Sequence, residues 1–210
     1  KQQDWLKTNL AKFSRMMQGQ KDLQTVSRLI MSELTPLVGA HHGAFFLMDT
    51  DDQTTPTPQL IASYADRKRK NVSSRFALGE ALVGQAALEK EPILLTNVPE
   101  DYVAISSGLG EAPPRNIIVL PILFEGTVKA VIELGSFNNF GQIHLTFLDQ
   151  LAESVGVVLN MIAANMRTEE LLEQSQKLTQ ELQSQSQELQ AQQDELKRSN
   201  SELEAQAKAL

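Results

Sequence analysis

Cysteine is absent from the 210 residues. Disulfides, thiolate metal sites, a cysteine nucleophile and any thioether-linked chromophore are excluded with it. Cations are scarce: 19 Lys and Arg face 26 Asp and Glu, for a formal charge of −7. A nucleic-acid surface needs clustered cations to meet phosphates, so no nucleic-acid partner is expected. Histidine occurs only at 41, 42 and 144, a spacing that supplies no metal or haem ligand set. No Walker loop is present, and Gly108-Leu109-Gly110 is too short for a dinucleotide fingerprint. No apolar run approaches the roughly 20 residues of a membrane span, and the amino terminus carries no signal-peptide pattern. A cytoplasmic location without direct membrane contact is therefore expected. Because the chain opens on Lys1 rather than Met, it reads as a piece of a longer protein, whose parent can itself be membrane-anchored.

The apolar residues, 41% of the total, are unevenly spread, and nearly all Val, Ile and Phe fall between 23 and 162. Leu6, Leu10, Phe13 and Met17 form a helical stripe that Gly19 interrupts. Asp22 can cap a second helix carrying Leu23, Val26, Ile30 and Leu34, ended near Pro36 and Gly39. GAFFLMD (43–49) predicts a buried strand and QLIASYAD (59–66) its hairpin partner. GEALVGQAALEK (79–90) predicts a short helix with Leu82, Val83 and Ala86 inward, and ILLTNV (93–98) a third strand. Residues 99–115 read as irregular. Two β-rich runs meet at Glu125-Gly126, a hairpin signal, and Pro121 predicts an edge position or bulge. From about His144 neither Pro nor closely spaced Gly breaks a helix; 67 residues of it would span on the order of 100 Å, for which a coiled coil is the ordinary explanation.

This order predicts an α+β fold, one antiparallel sheet covered by helices on one face. The stretches LTPLVGAHHGAFFLMD, FALGEALVGQAALEKEPILLTNVPEDY and APPRNIIVLPILFEGTVKAVIELGS, with the following FLDQLAESVGVVLN, resemble a GAF domain, specifically that of bacterial multi-sensor hybrid histidine kinases. The resemblance covers about residues 21–162. WLKTNLAKFSRMMQGQ is similar to the connector that follows a HAMP module, giving a connector helix over 1–20 and a coiled-coil signalling helix over 163–210. It implies a non-catalytic sensor or relay domain, homodimeric through its terminal helices, between an upstream HAMP-like module and a downstream kinase core. The alternative is a dimerisation scaffold whose pocket binds nothing. A sulfoxide reductase of the same fold would need catalytic cysteines. The Asn-Lys-x-n-Phe motif of cyclic-nucleotide binders is missing, and covalent bilin attachment has no Cys.

By the same resemblance, Arg75, Thr96, Tyr102, Ser106, Ser107, Arg115 and Glu133 are candidate pocket residues for a small molecule of unknown identity; no cofactor is assigned. Val131, Glu133 and Gly135 should share a face opposite Ala130, Ile132 and Leu134, leaving Glu133 either solvated or buried and paired. His41 and His42 read as capping or packing residues. His144 reads as a helix cap or surface residue, since Ile143-His144-Leu145 lacks the acidic residue of a phosphoacceptor box. The basic cluster RKRK (67–70) reads as a solvated loop, with anion binding as the alternative.

Leu182, Leu189, Leu196, Leu203 and Leu210 recur every seven residues. Placed at d, they put Thr179, Ser186, Gln193, Asn200 and Ala207 at a, a weak parallel coiled coil in which Asn200 favours two strands. Leu148, Leu151, Val155, Val158 and Ile162 suggest a stronger seam in another frame. The phase therefore changes between Ile162 and Leu182, as at a stutter or stammer.

Overall fold

The computed structural model describes residues 1–49, 55–65, 74–99, 105–107 and 110–208, with backbone alone for 106, 107, 110 and 111. It divides into two compact units, Lys1–Ala163 and Ala164–Leu210.

The first unit opens with α1 (Gln2–Met17) and α2 (Leu23–Leu37). The Asp22 carboxylate accepts from the Thr25 backbone N–H at 2.7 Å and from its hydroxyl at 2.6 Å, satisfying one of the free amides of a helix start. Strands β1 (His42–Asp49) and β2 (Thr57–Tyr64) follow, then α3 (Ala81–Glu89), β3 (Ile93–Thr96), β4 (Ile105–Ser107), β5 (Gly110–Ala112), β6 (Asn116–Phe124), β7 (Thr127–Ser136) and α4 (Gln142–Lys208). Among the described residues, the main sheet is antiparallel with order β2-β1-β7-β6-β3, so β7 is central. The stretch expected to be irregular contains the small β4–β5 ladder. Two strands of three residues around a Gly-Leu-Gly are too short to carry an alternation pattern.

The β6–β7 hairpin turns at Glu125 and Gly126, both at positive φ (47° and 74°), as a tight two-residue connection requires. Pro121 pairs with Val131 on β7 but lies beyond the last residue that pairs with β3, and a bulge follows at Ile122/Leu123. Its missing N–H is thus never needed by a second neighbour.

Alternation divides the sheet into two apolar layers rather than one. On the first face Phe45, Ile118, Leu120, Ile122, Ala130, Ile132 and Leu134 form a core with α1, α2 and the start of α4. On the second face Ala44, Phe46, Ile117, Val119 and Val131 meet α3 through Val83, Ala86 and Ala87. The expectation of helices on one face only is therefore corrected: α3 covers the other. Two helix glycines lie hard against neighbouring backbone, Gly84 on the segment before α3 and Gly156 on β6. A Cβ on Gly84 would lie 2.1 Å from the Ala77 carbonyl, and one on Gly156 would lie 2.1 Å from that of Leu123.

The first unit also takes in the amino-terminal helix, which the sequence set apart as a connector. Phe13 and Met17 of α1 are buried in the domain core, so the amino-terminal helix packs with the domain. By length and composition α4 contains a window apolar enough to cross a membrane, contrary to the reading of apolar runs. Its large apolar side chains at Phe147, Leu148, Leu151, Val155, Leu159 and Ile162 are instead buried against this core. The second unit is helical and exposed throughout its described residues.

Candidate functional site

The central strand reads TVKAVIELGS, and its period of two decides the chemistry of each face. Ala130, Ile132 and Leu134 enter the first core, while Val131 enters the second. Glu133 therefore stands among apolar residues on the second face, as the alternation predicted. Its cross-strand partners are Ala44 on β1 and Val119 on β6, both buried. The next residue of that face is Gly135, and Pro114 and Ile105 lie 3.5 and 3.7 Å from where a Cβ would be. The carboxylate is thus flanked by the two smallest side chains available, Ala44 and Gly135, with β4 and Pro114 roofing the latter.

No hydrogen-bond donor or cation among the described residues reaches Glu133. Burial alone pushes its pKa up to about 7, because the charged form loses hydration without a compensating partner. His42 pairs with Gly135, which makes it the diagonal neighbour of Glu133 on the same face, a separation of roughly 7–8 Å between such positions. His42 was read as a packing residue; only the strand register shows that it shares this face.

The described candidates Thr96, Arg115 and Arg75 do not gather around Glu133. Thr96 alternates with Leu95, which packs on the second-face core, and is itself exposed. Arg115 is exposed where β6 begins; its amide donates to the Ser136 carbonyl at 2.9 Å. It lies four residues along from Val119, roughly 13 Å at strand rise. Arg75 belongs elsewhere: its guanidinium holds the Asp49 carboxylate and donates to Gln59 Oε1 at 3.0 Å. Tyr102 and the RKRK cluster lie outside the described residues, as do the side chains of Ser106 and Ser107 in β4.

Asp49 and Gln59 form part of a cleft of about 270 Å³ whose walls also include Leu23, Leu47, Ile61, Lys129 and Leu159. Sequence spacing carries no sign of it, since its walls come from five separate elements.

His41 behaves as a packing residue. Its ring lies against Phe137 at 4.7 Å, its Nδ1 accepts from the Phe137 amide at 3.4 Å, and its own amide donates to Gly135 at 2.8 Å. His144 is half-buried rather than a surface residue. It meets the Trp5 ring at 5.5 Å, its Nδ1 is buried without a partner among the described residues, and desolvation lowers its pKa. No group of three metal-ligating side chains occurs among the described residues.

The anticipated seam divides in two. Leu151, Val155 and Ile162 are buried in the domain's own core, with Val158 packed partly against it; this stretch of α4 uses its apolar stripe on α1, α2 and the sheet rather than on a second helix. Leu182, Leu189, Leu196 and Leu203 are 58–69% exposed, and Asn200 on the same helix is exposed too. Leu210 lies outside the described residues.

A family model described as the GAF domain matches residues 20–160. Among solved structures, the GAF domain of a phosphoenolpyruvate-protein phosphotransferase from Coxiella burnetii is 18% identical, covering 77% of this chain and 96% of that one, with a TM-score of 0.63. A free methionine-R-sulfoxide reductase from Neisseria meningitidis, solved with its substrate, is 20% identical over 76% of this chain and 88% of its own, at 0.57. The nlh2 GAF domain of A. aeolicus in an inactive state is 19% identical over 79% and 99%, at 0.53. No curated protein matches the sequence. At these identities the likeness is one of fold.

Proposed function

The chain belongs to the GAF domain family, and from that premise we propose that it is the sensory, non-catalytic domain of a cytoplasmic histidine kinase, working as a homodimer. In this reading the domain responds to a ligand or to strain from an upstream HAMP-like module. The helix beyond Ala163 carries the response to a downstream kinase core. A sulfoxide reductase activity has no thiol to act through.

The observation that carries the reading is the apolar pattern on the second unit. Leu171, Leu178, Leu182, Leu189, Leu196 and Leu203 are all more than half exposed, as is Leu172 beside the first of them, on a helix that is otherwise mostly polar or small. A lone polar helix of this length has nothing to hold it in water, and a leucine repeat is completed by a second copy of itself. The intervals run seven, four, seven, seven, seven. The four-residue step between Leu178 and Leu182 is a stutter, where a coiled coil unwinds locally and two packings approach each other in energy.

Insertions in the full-length kinase at Ser184, beyond the stutter, test this. Seven added residues should preserve ligand- or stimulus-dependent autophosphorylation, whereas two or three should lock it high or low. Output independent of heptad phase would remove the relay. Sedimentation of the 210-residue chain as a monomer at micromolar concentration would remove the dimer.

A further inference from the structure

The cleft beside Asp49 and Gln59 opens on the first face of the sheet, against Leu159 and Ala163 of α4. Among its apolar walls, Leu23 of α2, Ile61 of β2 and Leu159 also pack on the first core, and Leu47 of β1 joins them. At about 270 Å³ it stands at the small end of small-molecule sites, which run to roughly 300–1,000 Å³ and are mostly apolar with a few placed polar groups. Water in such a hollow finds few partners. Two charged side chains stand among its described walls, Asp49 and Lys129. The Asp49 carboxylate already holds the Arg75 guanidinium, so a cationic ligand would have to displace an arginine. Lys129 owes its place to the irregular β6–β7 ladder. Ile122 pairs with Ala130 and Leu123 with Val128, which leaves Lys129 as the extra residue, and a bulge re-aims a side chain in this way. It is half-buried, its ammonium lies 6.0 Å from the centre of the Phe124 ring, and no carboxylate among the described residues pairs with it.

Resting on the sensory reading above, we propose that this cleft binds a medium-chain fatty acid, its carboxylate held by Lys129 and its alkyl tail lying between Leu47, Ile61 and Leu159. The ammonium donates a charge-assisted hydrogen bond to the carboxylate. Each methylene that leaves water for the leucine and isoleucine side chains adds apolar burial. A sugar or another acceptor-rich molecule would meet the same walls without hydrogen-bond partners. The tail lies against Leu159 and Ala163, one turn apart on α4. Occupancy therefore bears on the outgoing helix directly, from the sheet face opposite α3.

Octanoate is a suitable probe, with octanamide and octylamine as neutral and cationic counterparts on the same chain. Thermal shift and isothermal titration on the 210-residue protein should show saturable binding of octanoate, and binding of both counterparts at least tenfold weaker. Lys129→Gln, which removes the charge and keeps most of the side chain, should weaken octanoate at least tenfold and leave octanamide unchanged. The retained octanamide binding would show that the cleft itself persists in this variant. Ala163→Leu, at an exposed helical position, narrows the cleft and should weaken octanoate and octanamide alike. Lys177→Gln, in the second unit, controls for the loss of one positive charge and should change nothing. Equal binding of octanoate to wild type and Lys129→Gln would overturn the proposal, as would no binding of octanoate, or octylamine binding more tightly than octanoate. Each of these results leaves the relay standing, because the heptad-phase insertions test it separately.

Discussion

Glu133 and His144 each make the protein's stability depend on pH with a definite sign. Glu133 has its pKa raised from the ordinary 4.5 to about 7 in the folded state. The folded chain then binds more protons than the unfolded one between those values, so the stabilisation is complete below about 4.5 and is lost as pH rises through 7. Glu133→Gln removes this dependence. Urea unfolding at pH 5 and pH 8.5 should show wild type weakening relative to the variant by about 2 kcal/mol at the higher pH. His144 acts in the opposite sense. Burial lowers its folded pKa, so the unfolded chain protonates first and stability falls as pH drops below the ordinary histidine range. His144→Leu keeps bulk against Trp5 and deletes the orphaned Nδ1. It should raise stability by about 1 kcal/mol and flatten the acid limb of the same unfolding series. At this scale the sequence was partly legible. Alternation alone placed Glu133 on the face opposite Ile132. Nothing in one dimension could show that its cross-strand neighbour would be Ala44, that Arg75 would be engaged by Asp49, or that Thr96 would turn outward. Those facts depend on strand register and on the edge position of β3.

Helices and strands were more legible than the contacts between them. Asp22 before LQTVSRLI marked the start of α2, and Glu125-Gly126 marked the β6–β7 turn, because caps and tight turns are local chemistry. The β4–β5 ladder and the placement of α3 on the second face escaped because they are settled by what packs against what. The G-x-x-L-V-G-Q motif now has a physical reason at its second glycine, where the backbone of α3 lies on the Ala77 carbonyl. Gly84→Ala forces that carbonyl or the helix to move and should cost about 2–3 kcal/mol, as overpacking does; a lowered urea midpoint with unchanged slope would report it. In the second unit the stutter makes a constructive prediction. Deleting Thr179–Leu182 puts Leu171, Leu178, Leu189, Leu196 and Leu203 into one uninterrupted heptad frame. The dimer of this variant should dissociate at least tenfold less readily than wild type in sedimentation equilibrium. Weaker association would show that the seam does not run through these leucines.

At the scale of the molecule, the 41% apolar content divides sharply between the units. The first holds two buried layers on one sheet; the described large apolar residues of the second are exposed. Stability and assembly are therefore separable properties. Leu189→Asn with Leu196→Asn should abolish self-association through the carboxy-terminal helix while leaving the melting of the first unit within a degree or two, read by near-ultraviolet circular dichroism at Trp5, the single tryptophan. The division also explains why one heptad reading could not serve the whole helix. Leu151, Val155 and Ile162 obey helical spacing as well as the later leucines do, but periodicity does not reveal whether the surface facing a stripe is a sheet or a second helix. Only the β-rich composition upstream supplied the sheet that claims them.

The contact between Gly156 and the Leu123 carbonyl acts as a keyway. A turn of α4 about its own axis at this point would replace the bare glycine with the Cβ of Val155 or Val157 and drive it into a strand backbone. Spin of the helix about its own axis is thereby opposed, at the one residue of α4 that has no side chain.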